Sequence, residues 1–152
     1  MSWTKDVWAG SARIFEGIKG LPFIKELADG SLEPSRFDRY IAQDELYIGN
    51  YGRQMFQLAD MMPDPDQQEM FRAFAQSGID GEKAMHELLI SRFGIDTEVK
   101  ASVVTSTYNR HTQAAIDSGS KEVALAAMLP CMWIYNEVGL YMRSIGSLEG
   151  DP

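Results

Sequence analysis

Apolar residues recur at helical spacing along almost the whole chain, and no other feature constrains its fold so strongly. Trp3, Val7, Ile14, Phe15 and Ile18 fall at three-, four- and seven-residue steps, which places one apolar stripe on a first helix. The stretch KGLPFIKELADG then breaks at Gly20, opens a short helix with a proline and stops it at Gly30. Ser35 is a candidate N-cap for a helix from Arg36 to about Met62, whose stripe holds Phe37, Tyr40, Ile41, Asp44, Tyr47, Ile48 and Tyr51. Two prolines in MMPDPDQQ end it. A further helix is expected from Gln67 to about Arg92, with Gly78 and Gly81 placed to kink it. The connector FGIDTEVKAS leads to a helix from about Ser102 to Asp117, and Ser120 can cap a last helix from Lys121 to about Ile145. With no strand alternation, repeat or low-complexity segment, the spacing predicts an all-α domain of about six helices over residues 1–146, and a polar tail over 147–152.

A chain of 152 residues is most economically one domain, and at this size it buries roughly 68–70% of its unfolded surface. No metal or disulfide is needed to complete such a core. The net charge of −8 and the scattering of Lys and Arg deny nucleic-acid phosphates their usual basic footprint. The single cysteine cannot form an internal disulfide, which fits a reducing compartment. MSWTKDVWAG lacks a basic segment followed by an apolar run, and no stretch reaches the ~18 consecutive apolar residues of a membrane span. The expectation is a cytoplasmic protein that binds neither nucleic acid nor membrane.

Asp44 and Tyr47 share a helix face, as do Cys131 and Tyr135. A buried carboxylate costs several kcal/mol unless paired, so Asp44 within a stripe of tyrosines is either bonded inside the protein or faces a ligand. Cys131 has apolar neighbours in Met128, Leu129, Met132 and Trp133, which favour an inert, packed thiol. Pro130 works the other way: a proline inside a helix removes a hydrogen bond and bends the axis beside the next residue. Di-iron bundles use Glu-x-x-His pairs. Here Glu82 precedes His86 by four and Tyr108 precedes His111 by three, so no metal site is expected. His86 and His111 read as surface or helix-packing residues, and Glu137 as a solvated or capping-type one.

Taken together, LPFIKELADGSLEPSRFDRYIAQDELYI, the Tyr108 segment TSTYNRHT and LAAMLPCMWIYNEVG resemble the TenA family, the thiaminase II or aminopyrimidine aminohydrolase proteins. The resemblance spans most of Leu21 to Gly139. It implies a haem oxygenase-like helical bundle that binds no haem and needs no cofactor, assembled as a homo-oligomer and in many members a tetramer. It implies a small-molecule ligand, an aminopyrimidine or thiamin. Carried over by position, Cys131 matches the nucleophile and Asp44 the carboxylate that grips the pyrimidine. Tyr47, Tyr108 and Tyr135 match aromatic residues that line the pocket. The family continues past this point with further helices and a glutamate acid/base that finds no counterpart within these residues, so the expected bundle is C-terminally shortened. The expected activity is hydrolysis of 4-amino-5-aminomethyl-2-methylpyrimidine, or of thiamin, in thiamin salvage. A non-catalytic pyrimidine-binding protein and a helical scaffold are the rival readings.

Overall fold

The computed structural model of the chain describes residues 2–145, and among these there are six helices and no strand. They are α1 (Trp3–Lys19), α2 (Pro22–Asp29), α3 (Pro34–Asp60), α4 (Pro65–Phe93), α5 (Val103–Asp117) and α6 (Lys121–Ile145). The polar tail expected over 147–152 lies outside the described residues. Local chemistry accounts for most of the boundaries. Pro22 opens α2, and Gly30, at φ 77°, ends it in the left-handed conformation that glycine tolerates. Asp64 caps α4 by accepting from the Asp66 amide, and Ser102 caps α5 by accepting from the Thr105 amide. Ser120 accepts from the Val123 amide at the start of α6. Ser35 does not cap α3: that helix already begins at Pro34, whose missing N–H and fixed φ suit a first turn. Gly78 and Gly81 lie within α4, which runs unbroken from Pro65 to Phe93.

The described residues group into two compact units, 34–129 in one and 2–33 with 130–145 in the other. In the first, α3 packs along α4 and against α5. Ile41 and Ala42 of α3 bury against Ile95, with Phe37, Tyr40, Leu89, Ile90 and Val99 around them. At Gly52 the Ile79 side chain of α4 lies directly against the α3 backbone, since a Cβ there would stand 2.5 Å from the Ile79 Cδ1. A polar seam ties α3 to α5: Thr112 donates to Gln54 Oε1 at 2.7 Å, and Gln54 donates to the Asn109 carbonyl at 3.0 Å. Gln54 and Thr112 are both fully buried, so this pairing meets the demand that interior polar groups be bonded.

In the second unit, Trp8 of α1 stacks on Trp133 of α6 with ring centroids 5.1 Å apart, and Phe15 lies 5.0 Å from Trp8. Lys19 sits over Tyr141. The boundary between the units falls at Pro130, inside α6, where the ring nitrogen has no hydrogen to donate to the Ala126 carbonyl. By length and mean hydropathy α6 would suffice to cross a membrane. Its consecutive apolar run is nevertheless cut by Asn136 and Glu137.

Candidate active site

Asp44, Tyr47 and Tyr51 fall three, four and seven residues apart on α3 and so form one face of it. The Tyr47 ring stacks on Tyr108 of α5, with centroids 5.5 Å apart and planes 20° from parallel, and lies 5.6 Å from Tyr51. Tyr51 donates to the Met128 carbonyl. Three of the residues singled out from sequence, Asp44, Tyr47 and Tyr108, therefore stand on α3 and α5 of one unit, two of them in ring contact. Cys131 and Tyr135 belong to the other unit, one helical turn apart on α6. Cys131 is half-buried and Tyr135 is 54% exposed.

The Asp44 side chain is only 14% exposed, and its partner is His86 of α4, whose Nε2 lies 3.2 Å from Asp44 Oδ2. The other ring nitrogen, Nδ1, lies 2.5 Å from Glu45 Oε2. His86 itself is 1% exposed. It is thus a helix-packing histidine, whereas His111 is exposed. One turn before His86 on α4, Glu82 brings a carboxylate oxygen within 4.8 Å of ligand atoms on both Asp44 and His86. Glu82 Oε2 is buried with no hydrogen-bond partner among the described residues. Burial pushes the Asp44 carboxyl above its ordinary range, the Glu82 and Glu45 charges push the same way, and His86 opposes them. Asp44, Glu82 and His86 are the one group among the described residues that could hold a metal ion. A cation there would have to take Nε2 from its bond with Asp44.

Sequence reasoning missed Glu45 and Glu82 as neighbours of Asp44. The four-residue step from Glu82 to His86 was visible, but nothing local says that this face of α4 lies against Asp44. Glu137 is half-buried rather than solvated, and lines an open cleft of about 290 Å³ with Thr4, Lys5, Trp8, Ala9 and Trp133.

The profile of the TENA/THI-4/PQQC family matches residues 16–152. The chain belongs to this family. Among family relatives, the aminopyrimidine aminohydrolase of Halalkalibacterium halodurans is 29% identical over 100% of this chain and 70% of its own length. The aminopyrimidine aminohydrolase of Bacillus subtilis is 28% identical over 99% of this chain, again 70% of its own length. The thiamine biosynthesis multifunctional protein ThiED of Corynebacterium glutamicum is 32% identical over 92% of this chain, which covers 18% of that larger protein. Among solved structures, a TenA homologue from P. horikoshii OT3 superposes with a TM-score of 0.83, covering 92% of this chain and 67% of that one, at 24% identity. That likeness establishes the TenA fold, the haem oxygenase-like bundle. The family relatives support a hydrolase of the TenA type.

Proposed function

We propose that this chain hydrolyses 4-amino-5-aminomethyl-2-methylpyrimidine to the hydroxymethylpyrimidine, releasing ammonia, as a step of thiamin salvage. Thiamin is the alternative substrate with the same pyrimidine. The observation that carries the reading is the largely buried Asp44 carboxylate, three residues from a Tyr47 ring stacked on Tyr108, in a member of this family. A flat, electron-poor heterocycle with ring-nitrogen and amino groups suits a carboxylate that hydrogen-bonds its edge and aromatic rings that cover its face. In this reading Asp44 grips and activates the pyrimidine, because hydrogen bonding or proton donation to a ring nitrogen makes the ring a better electrophile. Cys131 supplies the thiolate, which adds to the activated ring while the amine leaves the attached methylene. Water then adds at the methylene and the thiolate departs, so one difficult displacement becomes two easier steps. Tyr47, Tyr108 and Tyr135 line the pocket. A cytoplasmic homo-oligomer acting on a free small molecule belongs to the same reading.

The test is product formation from 4-amino-5-aminomethyl-2-methylpyrimidine, with Cys131→Ser as control. Turnover that disappears in the variant, while calorimetric binding stays within a few-fold of wild type, is the expected outcome. Undiminished turnover in Cys131→Ser removes the thiol from the mechanism. Binding without product in the unaltered chain means that it keeps the grip and lacks the chemistry.

A further inference from the structure

We infer that His86 is the positioning residue for Asp44: braced by Glu45 at one ring nitrogen, it fixes the Asp44 carboxylate through the other and leaves Oδ1 for the ligand. This rests on the reading that Asp44 grips an aminopyrimidine.

The geometry is specific. A carboxylate at the end of an aspartate turns freely about its last bond unless a neighbour holds it. His86 can hold it because the ring has no freedom of its own, being 1% exposed and engaged at both nitrogens, 3.2 Å from Asp44 Oδ2 and 2.5 Å from Glu45 Oε2. Two hydrogen bonds require two protons, so the Asp44–His86–Glu45 chain carries one proton in each link. Glu45 is 44% exposed and thus connects this buried chain to solvent. Among the described residues, the charged groups beside the ring include Asp44 and Glu45 from α3 and Glu82 from α4. Three carboxylates around one imidazole leave an excess of acceptors, and Glu82 Oε2 is buried without a donor among the described residues. Such an arrangement suits a ligand that brings N–H groups, as an aminopyrimidine does.

A contact that merely ties α3 to α4 would also bury His86, and a double-mutant cycle separates the two roles. Binding of 4-amino-5-aminomethyl-2-methylpyrimidine to the full chain is measured by calorimetry for wild type, Asp44→Asn, His86→Leu, His86→Gln and the two Asp44→Asn doubles. His86→Leu, which keeps bulk and donates nothing, is expected to weaken binding about tenfold or more, the size of a lost charge-assisted hydrogen bond. His86→Gln, whose amide reaches toward Asp44, is expected to recover most of that loss. In the Asp44→Asn background the His86 substitutions are expected to change affinity by no more than about twofold. Wild-type affinity in His86→Leu, or an equal loss in both backgrounds, overturns the inference. If His86→Leu does not fold, Glu45→Gln carries the same comparison, and an effect on affinity of the same size with and without Asp44 overturns it. Asp44→Asn with undiminished affinity overturns the gripping reading itself, a result that the His86 variants alone cannot produce.

Discussion

Asp44 occupies a position where an ionised group is costly, and the cost has a measurable sign. Burial, helped by Glu82 and Glu45, raises its pKa against the opposing pull of His86. The folded protein therefore holds the Asp44 proton to higher pH than the unfolded chain does. Between the unfolded and folded pKa values the native state binds more protons, so this group's contribution to stability is complete below about pH 4 and is lost as pH rises through the folded value. Asp44→Asn removes that penalty. The variant is expected to melt at a higher temperature than wild type at pH 7, with the difference shrinking as pH approaches 4, while its affinity for the aminopyrimidine falls about tenfold or more. Thermal melts at both pH values, with calorimetry beside them, check the two signs; a variant less stable at pH 7 contradicts the assignment. The sequence exposed the conflict, an aspartate in an apolar stripe, and left open whether a protein group or a ligand resolves it. Both alternatives have a place in the outcome: His86 takes one carboxylate oxygen, and the proposed function assigns the other to the pyrimidine.

At the scale of helices, α3 is the element on which the candidate site depends, because it carries Asp44 and Tyr47 and packs against both α4 and α5. It meets α4 closely at Gly52, where the Ile79 side chain fills the space a Cβ would need. Alanine at this position would gain about 1 kcal/mol of helix propensity. The overlap with Ile79 costs about 1–3 kcal/mol, so Gly52→Ala should destabilise the chain. In an Ile79→Ala background the overlap is gone, and the same substitution should become stabilising. Urea unfolding of the four proteins tests that change of sign; a Gly52→Ala effect of equal size in both backgrounds would show that Ile79 is not the obstacle. The helix boundaries themselves were largely legible, because Pro22, Gly30, Ser102 and Ser120 act on backbone groups within a few residues of themselves. Ser35 was misleading because a good capping residue stood one position inside a helix already opened by Pro34.

For the whole molecule, a ligand that binds only the folded chain must raise its stability, by about 2.7 kcal/mol at a hundredfold excess over Kd. The unfolding midpoint is therefore expected to rise with 4-amino-5-aminomethyl-2-methylpyrimidine in wild type and in Cys131→Ser. At the same concentration a tenfold loss of affinity in Asp44→Asn should cut that gain to about 1.4 kcal/mol, half the wild-type shift or less. A shift lost in Cys131→Ser instead would mean that the thiol contributes to binding rather than to chemistry.

The sequence by itself determined the all-α class, the breaks between helices, the family through its motifs, and the residue types on which the proposed chemistry rests. Each of those follows from spacing and from groups close together in the chain. Only the tertiary structure decided that His86 meets Asp44 and Glu45, 42 and 41 positions away, that Tyr108 stacks on Tyr47, and that Gln54 pairs with Thr112. Such contacts depend on the register at which α3 lies against α4 and α5. That register is set by the fit of many side chains at once, Gly52 against Ile79 among them, and no local pattern encodes it.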